Sequence, residues 1–141
     1  MEMKPLCLDT NTYSAYRKSN AEMLSIIRGA SHVWIPAVVL GELRFGFVND
    51  NRNVANELML EQFLESPNVS VATVGASTSR EYALMSYQLR LVGMPIPTND
   101  LWIAAAAKEH NCPLLTFDAH FKRIEGLHVV SGVQDWITLN T

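Results

Sequence analysis

The chain has 141 residues, 48% hydrophobic and 18% charged, which suits one compact domain burying about two thirds of the surface its unfolded form exposes. No Gly/Ser linker, repeat or low-complexity tract breaks it, so residues 1–141 are expected to form a single unit. A formal charge of -3 speaks against a partner held by a simple excess of Lys and Arg, and no apolar run approaches the ~20 residues that span a bilayer.

The opening Met1-Glu2-Met3-Lys4 is too short and too acidic for a secretory signal. A cytoplasmic location with no membrane association is therefore expected, and there Cys7 and Cys112 would stay reduced and buried. Pro5 to Leu8 form a short apolar strand, and Asp9 follows it, placed to cap a helix or make an Asx turn. Ser19 and Glu22 have capping-box spacing ahead of Met23, Leu24 and Ile27, with Gly29 as a stop. "SHVWIPA" (31–37) reads as a second strand, and Pro36 as the opening of a helix through "AVVLGELRFGFV".

A further helix is expected over about 53–64, with Leu58, Phe63 and Leu64 on its buried side. "NVSVATV" (68–74) is a strand, and Thr78 with Glu81 repeats the capping box before "YALMSYQLRLV" and Gly93. "MPIPTND" is a loop leading into the alanine-rich helix "LWIAAAAKEH". "CPLLTF" is a strand, Asp118 to Ile124 a short helix, and "LHVVSG" a last strand. This alternation predicts an α/β fold: a mostly parallel sheet covered by helices on both faces, with its site beyond the carboxyl ends of the strands.

Four acids fall near that edge. Asp9 follows the first strand, Asp118 follows "CPLLTF", Asp100 lies in the first turn of the alanine-rich helix, and Glu42 sits mid-helix among apolar residues. Taken singly, Asp9 and Asp118 serve as caps and Asp100 answers a helix dipole, with Thr98 or Asn99 capping its helix. Glu42 needs a partner, because burying an unpaired carboxylate costs several kcal/mol. Arg44 is two residues away and points elsewhere on a helix.

Taken together, converging carboxylates repel one another unless cations sit among them. An oxygen-only set selects Mg²⁺ or Mn²⁺, and zinc is disfavoured because His32, His110, His120 and His128 show no ligand spacing. Such a centre hydrolyses phosphodiesters by activating water, and two ions about 3.5 to 4 Å apart would clamp attacking and leaving oxygens. Asn11 and Thr116, flanking two of the acids, are placed either to orient carboxylates or as ordinary turn formers.

"LDTNTY", "GELRFG", "TNDLWIAAAAKEH" and "LLTFDAHFKRIEGLHV" resemble the four acidic blocks of PIN domains, in the order of VapC-type toxins from VapBC toxin-antitoxin systems. The resemblance implies a three-layer α/β/α sandwich and a Mg²⁺- or Mn²⁺-dependent endoribonuclease. It implies a site of Asp9, Glu42, Asp100 and Asp118, in which Asp9, Asp100 and Asp118 hold metal. It also implies an RNA substrate, homodimerisation, and silencing by a VapB-like antitoxin whose tail lies over the site, with Phe45, Phe47 and Val48 in or near that groove.

Setting the four acids aside leaves ten acidic residues against eleven basic, and two divalent ions bring the formal charge to +1, so RNA is not repelled. Arg17, Lys18, Lys122 and Arg123 follow site-bearing strands and are candidate phosphate contacts or ordinary solvated surface. A haloacid-dehalogenase-type phosphatase needs a second Asp where this chain has Asn11, and a receiver domain needs adjacent early acids and a late lysine. A PIN-like module that only binds RNA or protein is the remaining alternative, and it gains nothing from four mutually repelling acids.

Overall fold

The computed structural model describes residues 3–141; Met1 and Glu2, on which the reading of the amino terminus partly rests, lie outside them. In chain order the elements are β1 (Leu6–Leu8), α1 (Thr10–Arg17), α2 (Ala21–Gly29), β2 (Val33–Pro36), α3 (Ala37–Val48) and α4 (Asn53–Glu65). There follow β3 (Val69–Ala72), α5 (Ala76–Leu91), α6 (Thr98–Glu109), β4 (Leu114–Leu115), a 3₁₀ turn (Ala119–Arg123), β5 (Val129–Val130) and α7 (Val133–Leu139). The five strands form one sheet in the order β3-β2-β1-β4-β5, and every neighbouring pair is parallel.

The expected parallel α/β architecture is therefore present, with shorter strands than the apolar runs suggested. β1 and β4 are buried along their whole length, as strands covered on both faces must be. The chain first moves outward from β1 through β2 to β3, then crosses back to place β4 on the other side of β1. Between β1 and β4 the strand order reverses, and loops leaving the carboxyl ends diverge there to open a crevice. Asp9 and Thr116, the residues that follow these two strands, flank it.

Helix α6 packs on α5 and against β1 and β2, and its residues Ala104 to Ala107 are fully or almost fully buried. Alanine there allows close approach of helix to sheet and holds the first turn of α6 at the crevice. A second group, α1, α2 and α7, packs together, with α7 also on β5; α3 contacts α1, α4 and α6 and so reaches both groups. That bridging position brings Glu42 to the crevice.

Several local expectations need correction. Asn20, not Ser19, caps α2 by accepting from the Met23 amide at 3.1 Å, because Ser19 takes a left-handed φ of 62° in leaving α1. Helix α5 starts at Ala76, so Thr78 lies inside its first turn and its hydroxyl accepts from the Gly75 amide at 3.0 Å. Helix α6 has Pro97 at its cap position with no side-chain cap, so neither Thr98 nor Asn99 serves. In α4 Leu60 is buried with Phe63 while Leu58 is exposed, since two residues on a helix are about 200° apart. Helix α7, which the sequence reading left without an element, buries Trp136.

Candidate metal centre

Asp9 ends β1 with extended backbone and caps α1, a geometry that turns its side chain back over the crevice. It is 6% exposed. Its Oδ1 accepts from the Thr12 amide at 3.0 Å and from the Thr12 hydroxyl at 2.8 Å. The same hydroxyl lies 3.1 Å from the carbonyl oxygens of both Asp9 and Leu115, tying α1 to the end of β4. Burial pushes the Asp9 carboxyl above the ordinary carboxylate range; hydrogen bonding to Thr116 and Thr12 pulls it back, and the nearby Asp118 charge pushes it up further.

Thr116 is buried just beyond β4, and its Oγ1 accepts from the Asp118 amide at 3.0 Å. It lies close enough to Asp9 to hold that carboxyl's proton affinity down. Asn11 differs: it is exposed and makes no hydrogen bond to Asp9 among the described residues, and Thr12 takes the role expected of it. One step along α1 turns a side chain by about 100°, enough to separate the solvent face from the crevice.

Asp100 lies in the first turn of α6, where the positive end of the helix dipole favours a carboxylate. Burial nevertheless raises its proton affinity; His120 opposes that, while the charges of Glu42 and Asp118 reinforce it. Asp118 caps the 3₁₀ turn, and its Oδ1 accepts from the His120 amide at 3.3 Å. Asp118 raises the proton affinity of both Asp9 and Asp100, and Glu42 that of Asp100, so each of the four carboxylates lies near at least one other.

Glu42 is half-buried, and its partner is Thr10, whose hydroxyl donates to Oε1 at 2.6 Å. Among the described residues no arginine pairs with it; Arg44 binds Glu57 at 2.8 Å and Glu61 at 2.9 Å, on the α4 side. Two clefts of about 520 and 610 Å³ meet at Thr10 and Glu42, one between α1, α3 and α4, the other between α3 and Asn99. Phe47 lines the first and Phe45 the second, and Phe45 and Val48 are strongly exposed. A smaller pocket of about 170 Å³ around Lys4, Asn111 and His128 contains none of the four acids.

His120 is the residue that sequence reasoning missed. Its Nε2 lies 2.9 Å from Oδ2 of Asp100 and its Nδ1 3.0 Å from Oδ1 of Asp118. The 3₁₀ turn capped by Asp118 swings residue 120 back over the carboxylates and adds an imidazole beside the oxygen donors expected from sequence. A signal existed in "TFDAH", where a capping Asp folds the side chain two positions on against itself. One donor atom from each of Asp100, Asp118 and His120 lies within 4.8 Å of the others. That span equals two ligand bonds of about 2.0 to 2.4 Å, so the three fit around one divalent ion.

Of the basic residues, Arg17 is engaged in the fold. Its Nε donates to the Tyr13 hydroxyl at 2.8 Å, its guanidinium reaches the Met59 carbonyl at 3.0 Å and lies over the rings of Tyr13, Tyr16 and Phe63. Arg123 donates to the Pro95 carbonyl at 3.3 Å, while Lys18 and Lys122 are exposed.

Residues 6–127 match the PIN domain family model. The chain belongs to the PIN domain family. It is similar to Ribonuclease VapC4 of Mycobacterium tuberculosis, with 29% identity over 105 residues covering 74% of this chain and 81% of that protein. It is also similar to Ribonuclease VapC2 of Rickettsia felis, with 28% identity over 125 residues covering 85% and 92%. Among solved structures, VapBC2 of Rickettsia felis bound to a DNA fragment from its promoter superposes with a TM-score of 0.80 at 26% identity, over 89% of this chain and 97% of that one. No helix among the described residues of this PIN domain is long and apolar enough to cross a membrane.

Proposed function

We propose that this PIN domain is a divalent-metal-dependent endoribonuclease and the toxin of a toxin-antitoxin pair. The observation that carries the reading is that Asp100 and Asp118 bring donor atoms within 4.8 Å of each other, with Asp9 at the end of the neighbouring strand and Glu42 lining open clefts. A module that only binds RNA would lose stability to that crowding with no return. The ribonuclease relatives VapC4 and VapC2 support the same chemistry.

Asp100 and Asp118 would hold the ion, with Asp9 beside them, and Mg²⁺ or Mn²⁺ is the expected occupant. When bound, the ion supplies positive charge that lowers the pKa of water and stabilises the charge building on the scissile phosphate. Thr12 fixes the Asp9 carboxylate through its amide and hydroxyl, so that it need not reorganise as charge develops. Thr10 holds one oxygen of Glu42, leaving the other to orient a water or an RNA hydroxyl. The clefts on either side of Glu42 would receive an unpaired strand, whose bases can be splayed away from the reacting phosphate.

The partner is a VapB-like antitoxin, as in the VapBC complexes that this chain resembles. The cleft lined by Phe47 and Leu43 beside Glu42 offers an apolar floor for its tail. Homodimerisation has an exposed apolar stripe at its disposal on α5, where Leu84, Tyr87 and Leu91 are spaced for one helix face. The cytoplasm, where substrate and antitoxin are made, is the expected location.

The test is incubation of the purified protein and its Asp9→Asn variant with a pool of structured RNAs and Mn²⁺. Cleavage by the native protein alone is expected. Identical outcomes for the two would remove the nuclease reading and leave the binding module.

A further inference from the structure

His120 has no role in the proposal above, and its surroundings give it one. The imidazole stands between two carboxylates, 2.9 Å from Asp100 and 3.0 Å from Asp118. Despite that proximity its Nε2 is buried and has no hydrogen-bond partner among the described residues, so the axis of this nitrogen is not directed at the Asp100 oxygen. A structural histidine would align its N–H with the neighbouring carboxylate. Two donors at right angles around one ion, each about 2.1 Å away, are about 3.0 Å apart and point at the ion instead of at each other.

We propose that His120 binds the divalent ion directly through Nε2, with Nδ1 lying 3.0 Å from Asp118. The ligating form is the neutral tautomer that carries its proton on Nδ1 and keeps the Nε2 lone pair for metal. It changes which ion the site prefers. Mg²⁺ favours oxygen donors and keeps its waters, whereas a nitrogen ligand among carboxylates favours Mn²⁺ and ions further along the first transition row. The physiological occupant is then Mn²⁺ ahead of Mg²⁺. The inference rests on the metal-centre reading of Asp100 and Asp118.

The test is pulsed electron paramagnetic resonance of the protein loaded with Mn²⁺, read for nitrogen-14 coupling, together with Mn²⁺ and Mg²⁺ affinities by calorimetry. Native protein, His120→Gln and Asp100→Asn are compared, with circular dichroism as a check of folding. The native protein is expected to show the nitrogen coupling and His120→Gln to lose it. Mn²⁺ affinity should fall about 10- to 100-fold in His120→Gln while Mg²⁺ affinity changes less than 3-fold. If Mn²⁺ binds natively without nitrogen coupling, and Asp100→Asn abolishes binding, the role of His120 is overturned and the metal centre stands. If Mn²⁺ does not bind the folded native protein, both fall.

Discussion

Replacing Thr12 with valine keeps a branched side chain of nearly the same shape and removes one fully buried hydroxyl. The two backbone carbonyls that face it retain other donors: Leu115 O accepts from the Asp9 amide at 3.3 Å, and Asp9 O from the Tyr13 amide at 3.3 Å. What is lost outright is the 2.8 Å bond to the Asp9 carboxylate, and hydrogen bonds to charged groups contribute about 1.5 to 3 kcal/mol. With an unfolding entropy of about 2.1 cal/mol/K per residue, 141 residues give about 0.3 kcal/mol/K, so the melting temperature should fall by about 5 to 10 °C at pH 7.5. Burial holds the Asp9 carboxyl above its ordinary range. On acidification Asp9 therefore takes up its proton early, and at pH 3, below even the ordinary value of 3.8, the loss should shrink towards that of a neutral bond, about 0.5 to 1.5 kcal/mol. Thermal melts by circular dichroism of both proteins at the two pH values decide the matter. A fall under 2 °C at pH 7.5, or an equal fall at both, would refute the claim that Thr12 holds a charged Asp9.

The folded-state proton affinity of Asp100 is also raised, first by burial. The stability linked to its neutral form is thus fully present below about pH 3.8 and is lost as pH rises through the folded value. Asp100→Asn should accordingly raise the melting temperature of the metal-free protein at pH 7.5 by about 2 to 6 °C, a gain of about 0.5 to 2 kcal/mol, while abolishing cleavage; a lower melting temperature would contradict this. Glu42→Gln keeps the acceptor for Thr10 and removes the charge, so RNA cleavage should drop about 100-fold or more with a stability change under about 1 kcal/mol, measured by single-turnover rates beside melts. Arg17→Ala should cost about 1 to 3 kcal/mol in urea unfolding, and Arg17→Lys should not restore it, because neither can lie over three rings while reaching the Met59 carbonyl. If Arg17 served phosphate binding instead, its loss would lower the salt dependence of RNA affinity, which is expected to stay unchanged.

The alternation of strands and helices was legible because buried parallel strands are short apolar runs and most helices carry a stop or start nearby. Helix boundaries were less so. Ser19 and Asn20 are both good caps, and only the backbone turn that leaves α1 decides between them. Helix α7 escaped because its seven residues bury a single large side chain, Trp136, and one contact makes no periodic pattern. At the site, Asp9, Asp100 and Asp118 stood out by following strands or opening a helix at one sheet edge, and Glu42 by being a carboxylate in an apolar helix. His120 and Thr12 did not, since each is set by a turn of a few residues that decides whether a side chain meets solvent or the crevice. For Arg17 the sequence leaves phosphate contact and ordinary surface both open, and only the fold reveals that its guanidinium lies over the aromatic rings of α1 and α4.

The claim on which the account depends is that carboxylates brought together at the end of the sheet are relieved by a divalent ion. Melting the native protein and Asp100→Asn at pH 7.5 across a MnCl₂ titration tests it most directly. At a free concentration a hundred times the dissociation constant, binding to the folded state alone contributes about 2.7 kcal/mol, a rise of about 9 °C for a chain of 141 residues. The native protein should show that rise and Asp100→Asn should stay within about 1 °C of its metal-free value. A native protein indifferent to Mn²⁺, or a variant that rises equally, would contradict the account.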